Sequence, residues 1–494
     1  MGTVLDALDA AVNHHLAGNA DAAASIYRAI LTAEPAQPEA LHLFGVLRAQ
    51  SADATAAILL ISRAIRVRPS AAPPWGHLGA ALRVAGRLET AELVLRRALA
   101  LDPANGDAVE ALGASLHGTA LYQAARSWLT RGWRLRPDHL DTLTNLGTVL
   151  RDQRRFDEAD ACFAAVLARA PAHANAHLAH ATGRLLRGDL RAGWEGFEHR
   201  WHRFPAPPWA GQPLGGATLL LHMEQGFGDS IQFVRYAPLA ARLAAQGGGR
   251  VMVETHPLLF RLFRSLGPTV QVLIRGPEPP PHDLHCPLMS LPRAFGTDLS
   301  SIPATIPYLA PEPGDVLRWR DRLGVMPSAG VEPAALRVGL VWAGNPRHAN
   351  DRNRSLPVDS LRPLLAVPGV RFFSLQTGDA RADLARLPFS REGGMVEDVM
   401  ERVRDFADTA AILSNLDLLI TVDTAIVHLA GALGVPAWLL LPHVPDWRWL
   451  LDRADSPWYP SLRLFRQPRP GDWPTALGTV AAVLKAHMQR AARR

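Results

Sequence analysis

A 34-residue period governs the first part of the sequence. Proline, glycine and alanine each recur at this interval, and the three series keep a constant offset from one another. The recurring residues are Pro35, Pro69, Pro103, Pro137 and Pro171; Gly45, Gly79, Gly113 and Gly147; and Ala23, Ala57, Ala91, Ala125 and Ala159. Small residues let two antiparallel helices approach closely, and a proline ends a helix. The period therefore predicts an α-solenoid built from helix pairs.

The period and the positions of the small residues resemble the tetratricopeptide repeat. Five repeats are clear, and a sixth loses the pattern over 174–201. In that segment Trp194, Phe197 and Trp201 recur at helical spacing, and we interpret them as a face that docks on the next domain rather than as ligand contacts. We expect residues 1–203 to form a superhelix whose concave surface binds an extended protein segment.

Basic residues are almost all arginine in this 494-residue chain. Lys485 is the single lysine among 52 basic residues, and it falls in a predicted C-terminal helix. Schiff-base chemistry, pyridoxal phosphate attachment and the P-loop each require a lysine in a structured site, so these classes are disfavoured. The net charge of +6 is spread over both halves of the chain, so the sequence does not predict a partner nucleic acid.

Two further features concern the compartment. The chain has only two cysteines, Cys162 and Cys286, which is too few for a disulfide framework and is typical of a reducing compartment. The most apolar stretch, 418–441, is interrupted by Asp423 and Pro436, so no membrane span is predicted. We expect a cytoplasmic protein.

A proline-rich segment, 204–216, is the predicted linker, and strands then alternate with helices. The predicted strands are 218–223, 251–255, 270–274, 338–342, 371–375, 418–422 and 437–441. The predicted helices are 230–245, 257–266, 358–366, 405–416, 424–433 and 474–490. This alternation predicts parallel sheets in two α/β lobes, 217–330 and 331–494, with a ligand cleft at the strand ends.

The first strand of lobe one runs into a turn with two glycines, Glu224-Gln225-Gly226-Phe227-Gly228-Asp229. The turn lacks the third glycine of a dinucleotide fingerprint. Asp229 has two interpretations. It is suited to cap the following helix, with Gln232 completing a capping box. The alternative, which the residues alone favour less, is a general base in the cleft.

Two loops of lobe two carry polar side chains after predicted strands. In the first, PRHANDRNRSLP, Asn345, Arg352 and Arg354 are candidates to bind phosphate, with a solvated loop as the alternative. Gln376 follows the next strand and joins the candidate set. No metal-ligand spacing is present.

The second loop contains Asp423, Thr424 and His428 at the start of a helix. Amides and a hydroxyl at such a helix start can hold a diphosphate. The alternative is a helix cap beside a packed histidine.

Five segments together resemble bacterial glycosyltransferases that join tetratricopeptide repeats to a GT-B module of the heptosyltransferase-like group, glycosyltransferase family 9. The segments are GDLRAGWEGFEHRW, LLLHMEQGFGDSIQFVRYAPLA, VGLVWAGNPRHANDRNRS, DFADTAAILSNLDLLITVDTAIVHLAGALG and PDWRWLLDRADSPWYPSLRLFRQ. The architecture is also similar to protein O-GlcNAc transferases and to the flagellin-modifying transferases of alphaproteobacteria.

The resemblance implies roles for individual residues. Asp229 corresponds to the acceptor base, Arg354 to the basic residue after the first strand of lobe two, and Asp423, Thr424 and His428 to the donor motif. Heptosyltransferases usually have a lysine where this chain has Arg354, so the sequence follows the repeat-fused subgroup.

The resemblance also implies an activity. A sugar would move from a nucleotide-sugar to a Ser or Thr hydroxyl of a protein recruited by the repeats, with flagellin as a candidate, and with neither a cofactor nor a metal. The alternatives are transfer to a lipid-linked or surface polysaccharide glycan, and a non-catalytic scaffold or chaperone.

Overall fold

The computed structural model describes residues 3–200, 204, 206–324, 336–348, 350–387 and 396–491. Its contacts divide the chain into two units, Met1–Ala179 and His180–Arg494. The division falls within the degenerate sixth repeat, ahead of the predicted linker. Trp201, one of the three aromatic residues assigned to a docking face, lies outside the described residues.

The first unit is a run of antiparallel helices in pairs. The helices are α1 (Val4–Leu16), α2 (Ala20–Ala33), α3 (Pro38–Gln50), α4 (Ala54–Val67), α5 (Ala72–Val84), α6 (Leu88–Leu101), α7 (Gly106–Gly118), α8 (Tyr122–Leu135), α9 (Leu140–Asp152) and α10 (Phe156–Arg169), followed by α11 (Ala174–Leu186). The alternation matches the predicted α-solenoid.

Close packing within each pair explains the repeated small residues. The repeated alanines from Ala23 to Ala159 are fully buried. A Cβ atom added to the repeated glycines would collide with large side chains of the second helix in each pair. The colliding pairs are Gly45 with Ile61, Gly79 with Leu95, Gly113 with Leu129 and Gly147 with Phe163. The period is therefore a packing requirement.

The second unit contains two parallel sheets. The strands are β1 (Thr218–His222), β2 (Arg250–Thr255), β3 (Val270–Ile274), β4 (Leu284–Pro287), β5 (Leu336–Val341), β6 (Val370–Ser374), β7 (Val396–Asp398), β8 (Leu418–Val422), β9 (Ala437–Leu441) and β10 (Leu462–Arg466). The first sheet has the order β3-β2-β1-β4, and the second has the order β10-β9-β8-β5-β6-β7.

Helices surround these sheets. They are α12 (Leu190–Phe197), α13 (Phe227–Phe233), α14 (Ala237–Gln246), α15 (Pro257–Phe263), α16 (Leu291–Ala294), α17 (Pro313–Arg322), α18 (Asp351–Arg354), α19 (Arg362–Leu365), α20 (Phe406–Leu413), α21 (Ala425–Leu433) and α22 (Trp473–Ala491). Helix α22 packs on the second sheet through Leu477, Val480 and Leu484. Among the described residues, no helix combines the length and the apolar character required to cross a bilayer.

Helix α12 is anchored within the second unit by its aromatic residues. Trp194 is 2% exposed, and its indole nitrogen donates a hydrogen bond of 3.0 Å to the carbonyl oxygen of Thr297. Its ring centre lies 5.2 Å from that of Trp447 and 6.4 Å from that of Phe233. This packing agrees with the docking interpretation at Trp194.

Candidate functional site

The turn after β1 begins helix α13 earlier than predicted. Gly226 has extended backbone angles and is the N-cap, so the helix starts at Phe227 and places Asp229 at its third position. The Asp229 Oδ2 atom accepts a hydrogen bond of 2.9 Å from the Gly226 amide. The capping interpretation of Asp229 was therefore wrong in position, because the residue supports the turn from inside the helix.

The expected capping box with Gln232 is wrong for the same reason. Gln232 is fully buried, and its Oε1 atom accepts a hydrogen bond of 2.6 Å from Nε of Arg448. Arg448 also contacts Asp229 Oδ1 through Nη2 and donates from Nη1 to Asp446 Oδ1 at 3.0 Å. One guanidinium thus joins helix α13 of the first sheet to the segment after β9 of the second.

Arg448 is a site residue that the sequence did not single out. Its side chain is 8% exposed and its guanidinium lies 4.3 Å from the ring centre of Trp447. Burial opposes the charge, but the carboxylates of Asp446 and Asp229 raise the pKa of Arg448 above its ordinary value. The only sequence signal was its place in the segment PDWRW, which formed part of the resemblance.

Arg354 connects the loop after β5 with the end of β8. Its Nη1 donates to the carbonyl oxygen of Asp423 at 2.9 Å, and its Nε donates to Asp351 Oδ1 at 3.1 Å. The side chain is 15% exposed. A Cβ atom at Gly344 would lie 2.6 Å from Nη2 of Arg354, so the glycine makes room for the guanidinium.

Asp423 and Thr424 lie at the start of helix α21. Thr424 is the N-cap, yet its hydroxyl caps nothing and is buried without a hydrogen-bond partner among the described residues. Burial and the nearby carboxylate of Asp446 raise the pKa of Asp423 to about 6. An unsatisfied buried hydroxyl is unfavourable, and a bound ligand would relieve it.

His428 lies one turn into α21 and is buried. Its Nδ1 atom is hydrogen-bonded to the Tyr459 hydroxyl at 2.9 Å, and its ring stacks on Trp449 with centres 5.4 Å apart. Burial and the positive charge of Arg448 hold the pKa of His428 well below its usual value, so the ring is neutral at pH 7.

The starts of α13 and α21 meet at Gly228. A Cβ atom there would lie 2.8 Å from Cδ2 of His428 and 3.3 Å from the Cα atom of Ala425. The structure therefore brings Asp229 of the first sheet close to the predicted residues of the second. Gln225, another candidate residue of this turn, is exposed and makes no described contact in the site.

Glu224 and Gln376 are fixed by other groups. Glu224 accepts a hydrogen bond of 2.7 Å from Nη2 of Arg200, and burial raises the pKa of Glu224. The side-chain amide of Gln376 bonds to backbone groups: Oε1 accepts from the amides of Trp342 and Ala343, and Nε2 donates to the carbonyls of Ala343 and Thr377. Both residues position strand-end loops.

Asn345 and Arg352 lie on the surface of the loop after β5. The Asn345 Oδ1 atom accepts a hydrogen bond of 3.0 Å from the amide of Arg347 and so closes a turn of that loop. His348, in the same loop, was not among the predicted site residues. Partial burial and the charge of Arg354 lower the pKa of His348.

Comparison with known proteins identifies the repeats. A family model of the tetratricopeptide repeat matches residues 140–173, which confirms the repeat prediction. The chain is 30% identical over 334 residues to Protein FlbA of Caulobacter vibrioides, covering 62% of this chain and 54% of FlbA. The chain thus spans about half the length of this relative. The aligned segment is longer than the first unit, so it must include residues of the second unit.

Solved structures of repeat proteins are similar to about a third of the chain. PilF of Pseudomonas aeruginosa is 16% identical with a TM-score of 0.35, covering 39% of this chain and 88% of PilF. YrrB, described as a TPR protein with an unusual peptide-binding site, is 21% identical with a TM-score of 0.30, covering 35% of this chain and 89% of YrrB.

Proposed function

We propose that this repeat protein is a GT-B glycosyltransferase that transfers a sugar from a nucleotide-sugar to a Ser or Thr hydroxyl of a protein. One observation carries the proposal: five candidate residues lie where α13 meets α21. Asp229 follows a strand of the first sheet, and the others follow strands of the second sheet, namely Arg354, Asp423, Thr424 and His428. Ligands of α/β folds bind at such carboxyl ends of strands.

The second sheet supplies the features that a nucleotide diphosphate requires. Donors at this positive helix end are the amides at the start of α21 and the Thr424 hydroxyl, which has no hydrogen-bond partner among the described residues. Arg354 adds a fixed positive charge beside them. These groups would stabilise the negative charge that develops on the diphosphate as its bond to the anomeric carbon breaks.

The first sheet supplies the base. Asp229 would take the proton of the acceptor hydroxyl while the hydroxyl oxygen forms its bond to the anomeric carbon. The Gly226 amide and Arg448 hold the two carboxylate oxygens in fixed directions. The neutral His428 ring contributes shape and a hydrogen-bonding edge to the site rather than charge.

The repeats would choose the acceptor. Superhelical repeats of this class bind extended segments on their concave surface. A protein acceptor, with flagellin as the first candidate, therefore fits the architecture better than a lipid-linked or polysaccharide acceptor, for which the repeats would serve assembly alone.

Intact-mass measurement tests the proposal. Candidate acceptor proteins from cells with and without the gene are compared, and the purified chain is then incubated with nucleotide-sugars and the unmodified acceptor. We expect a mass increase of one or more sugar residues that requires Asp229. Normal acceptor mass in the deleted strain, together with no hydrolysis of any nucleotide-sugar by the chain, would favour a scaffold instead.

A further inference from the structure

Four arginines, none of them assigned to the site above, line a cavity of about 300 Å³. Arg318 and Arg322 are four residues apart on α17 and therefore share a helix face. Arg402 and Arg404 are two residues apart in the segment that leads into α20. We call these four residues and the space between them the arginine cavity.

Only half of these cations have acidic partners. Arg318 Nη2 lies 2.7 Å from Asp408 Oδ1, and Arg404 Nε lies 2.8 Å from Asp408 Oδ2. Arg322 lies over the Trp319 ring at 5.1 Å, and neither Arg322 nor Arg402 has a carboxylate within salt-bridge distance among the described residues. Within the part of the chain that the structure describes, two positive charges at the cavity thus have no acidic partner.

The nearby carboxylates are already engaged. Asp405 accepts from Arg261 at 2.9 Å and also caps α20, and Asp315 contacts both Arg261 and Arg318. Burial alone would raise the pKa of Asp408, but hydrogen bonds from Arg404 lower it to about 2. Asp408 therefore stays ionised, and all three carboxylates are paired with arginines other than Arg322 and Arg402.

We propose that the arginine cavity is a second anion site, which binds a diphosphate group. Guanidinium groups pair with phosphate oxygens by two parallel hydrogen bonds, and like charges gathered around one space repel unless an anion offsets them. Two uncompensated cations match a group with at least two negative charges. This inference does not require the glycosyltransferase proposal, since none of the four arginines belongs to that site.

Calorimetry with inorganic pyrophosphate tests the site in the full chain. All variants carry Arg354→Ala, so that binding at the proposed donor site is weakened throughout. Adding Arg322→Ala and Arg402→Ala should weaken pyrophosphate binding at least tenfold. Adding Arg463→Ala should leave it unchanged, because Arg463 is an exposed arginine that also lies over an aromatic ring, 5.0 Å from that of Phe465.

The outcomes separate the explanations. Both replaced arginines are exposed and have no acidic partner in the described ranges, so thermal unfolding should stay at the parent temperature and loss of binding will report the site. Equal pyrophosphate affinity with and without the two replacements would overturn the inference, as would no binding to the Arg354→Ala chain.

Vesicles of phosphatidylcholine with phosphatidic acid distinguish the source of the phosphate. Flotation of the protein with the vesicles, abolished by the two replacements, indicates a lipid phosphate. Binding of free pyrophosphate alone indicates a soluble ligand.

Discussion

The carboxylate of Asp229 contacts the guanidinium of Arg448, although 219 residues separate them in the chain. The contact joins a helix of the first sheet to a loop of the second. It gives the proposed base a fixed orientation, and we expect the same contact to stabilise the second unit.

Replacing Asp229 by asparagine tests two roles of this residue, in catalysis and in the stability of the fold. As a general base Asp229 should be indispensable, so transfer should fall by roughly 10² to 10⁴. The variant should also lose about 1–3 kcal/mol of unfolding free energy, because an amide cannot offset the Arg448 charge and still accept from the Gly226 amide. Turnover and urea unfolding measure the two effects.

Asp455→Asn, at a pair whose carboxylate is 71% exposed, is the control and should change neither turnover nor unfolding free energy. Near-normal transfer by Asp229→Asn would leave the base unidentified.

Arg448→Lys tests the geometry of the bridge while preserving its charge. A lysine cannot reach Asp229, Gln232 and Asp446 from one planar group, so we expect a loss of about 1.5–3 kcal/mol in unfolding free energy. Arg453→Lys, at an exposed pair, should stay within about 0.5 kcal/mol of the parent. If both variants unfold alike in urea, the buried bridge does not stabilise the unit.

Arg354→Ala should weaken nucleotide binding at least roughly tenfold, ~1.4 kcal/mol, because it removes the charge beside the α21 start. Calorimetry with UDP, ADP, GDP and a CMP-sugar measures the change. Arg347→Ala, an exposed residue of the same loop, is the matched control. Unchanged affinity for every nucleotide would contradict the donor-site assignment.

Asp423→Asn should change the pH dependence of stability. The pKa of Asp423 in the folded chain, about 6, exceeds its unfolded value, so the folded state binds the proton more tightly. Wild-type stability from this group is therefore full below about pH 4 and is lost as pH rises through 6. The Asn variant, which cannot ionise, should gain stability relative to the wild type between pH 4 and pH 7. Urea unfolding across this range measures it, and a parallel pH dependence in both proteins would refute it.

Asp417→Asn should show the opposite sign. Burial alone would raise the pKa of Asp417, but hydrogen bonds from Arg337 lower it. Its stabilisation is therefore present at neutral pH and disappears only as pH falls through the lowered value. The variant should be less stable than the wild type at pH 7 and should approach it in acid, which the same unfolding series will show.

A fragment of residues 180–494 should bind nucleotide and fail to modify the protein acceptor. The described contacts make this segment one unit, and the repeats lie outside it. Calorimetry and intact-mass analysis measure the two activities. Equal modification of the acceptor by the fragment and by the full chain would assign another role to the repeats.

Sequence patterns predicted the elements that have a strong period or a buried core. Strands β8 and β9 lie where the apolar runs placed them, at Leu418–Val422 and Ala437–Leu441. Three strands were missed: β4 lies in a proline-rich stretch, β7 has three residues, and β10 follows a segment without periodicity. The predicted helix 230–245 is broken by a 3₁₀ turn, Val234–Tyr236, so one apolar pattern covers α13 and α14.

The site was harder to predict than the fold. Asp229, Arg354, Asp423 and His428 each follow a strand, and this position is visible in a sequence. Arg448 follows no helix-capping or loop pattern, and its importance depends on partners in distant segments. Long-range ion pairs have no local period, so sequence periodicity cannot reveal them.

Gly228 lies where a helix of the first sheet contacts a helix of the second. Its missing methyl group sets how near α13 can come to α21, and His428 cannot move aside because Tyr459 and Trp449 hold its ring. A single carbon atom added at this position would push α13 and α21 apart and so separate the candidate residues that these helices position. None of those residues would itself be changed chemically. The separation of the two halves of the site is thus encoded at a position that carries no side chain at all.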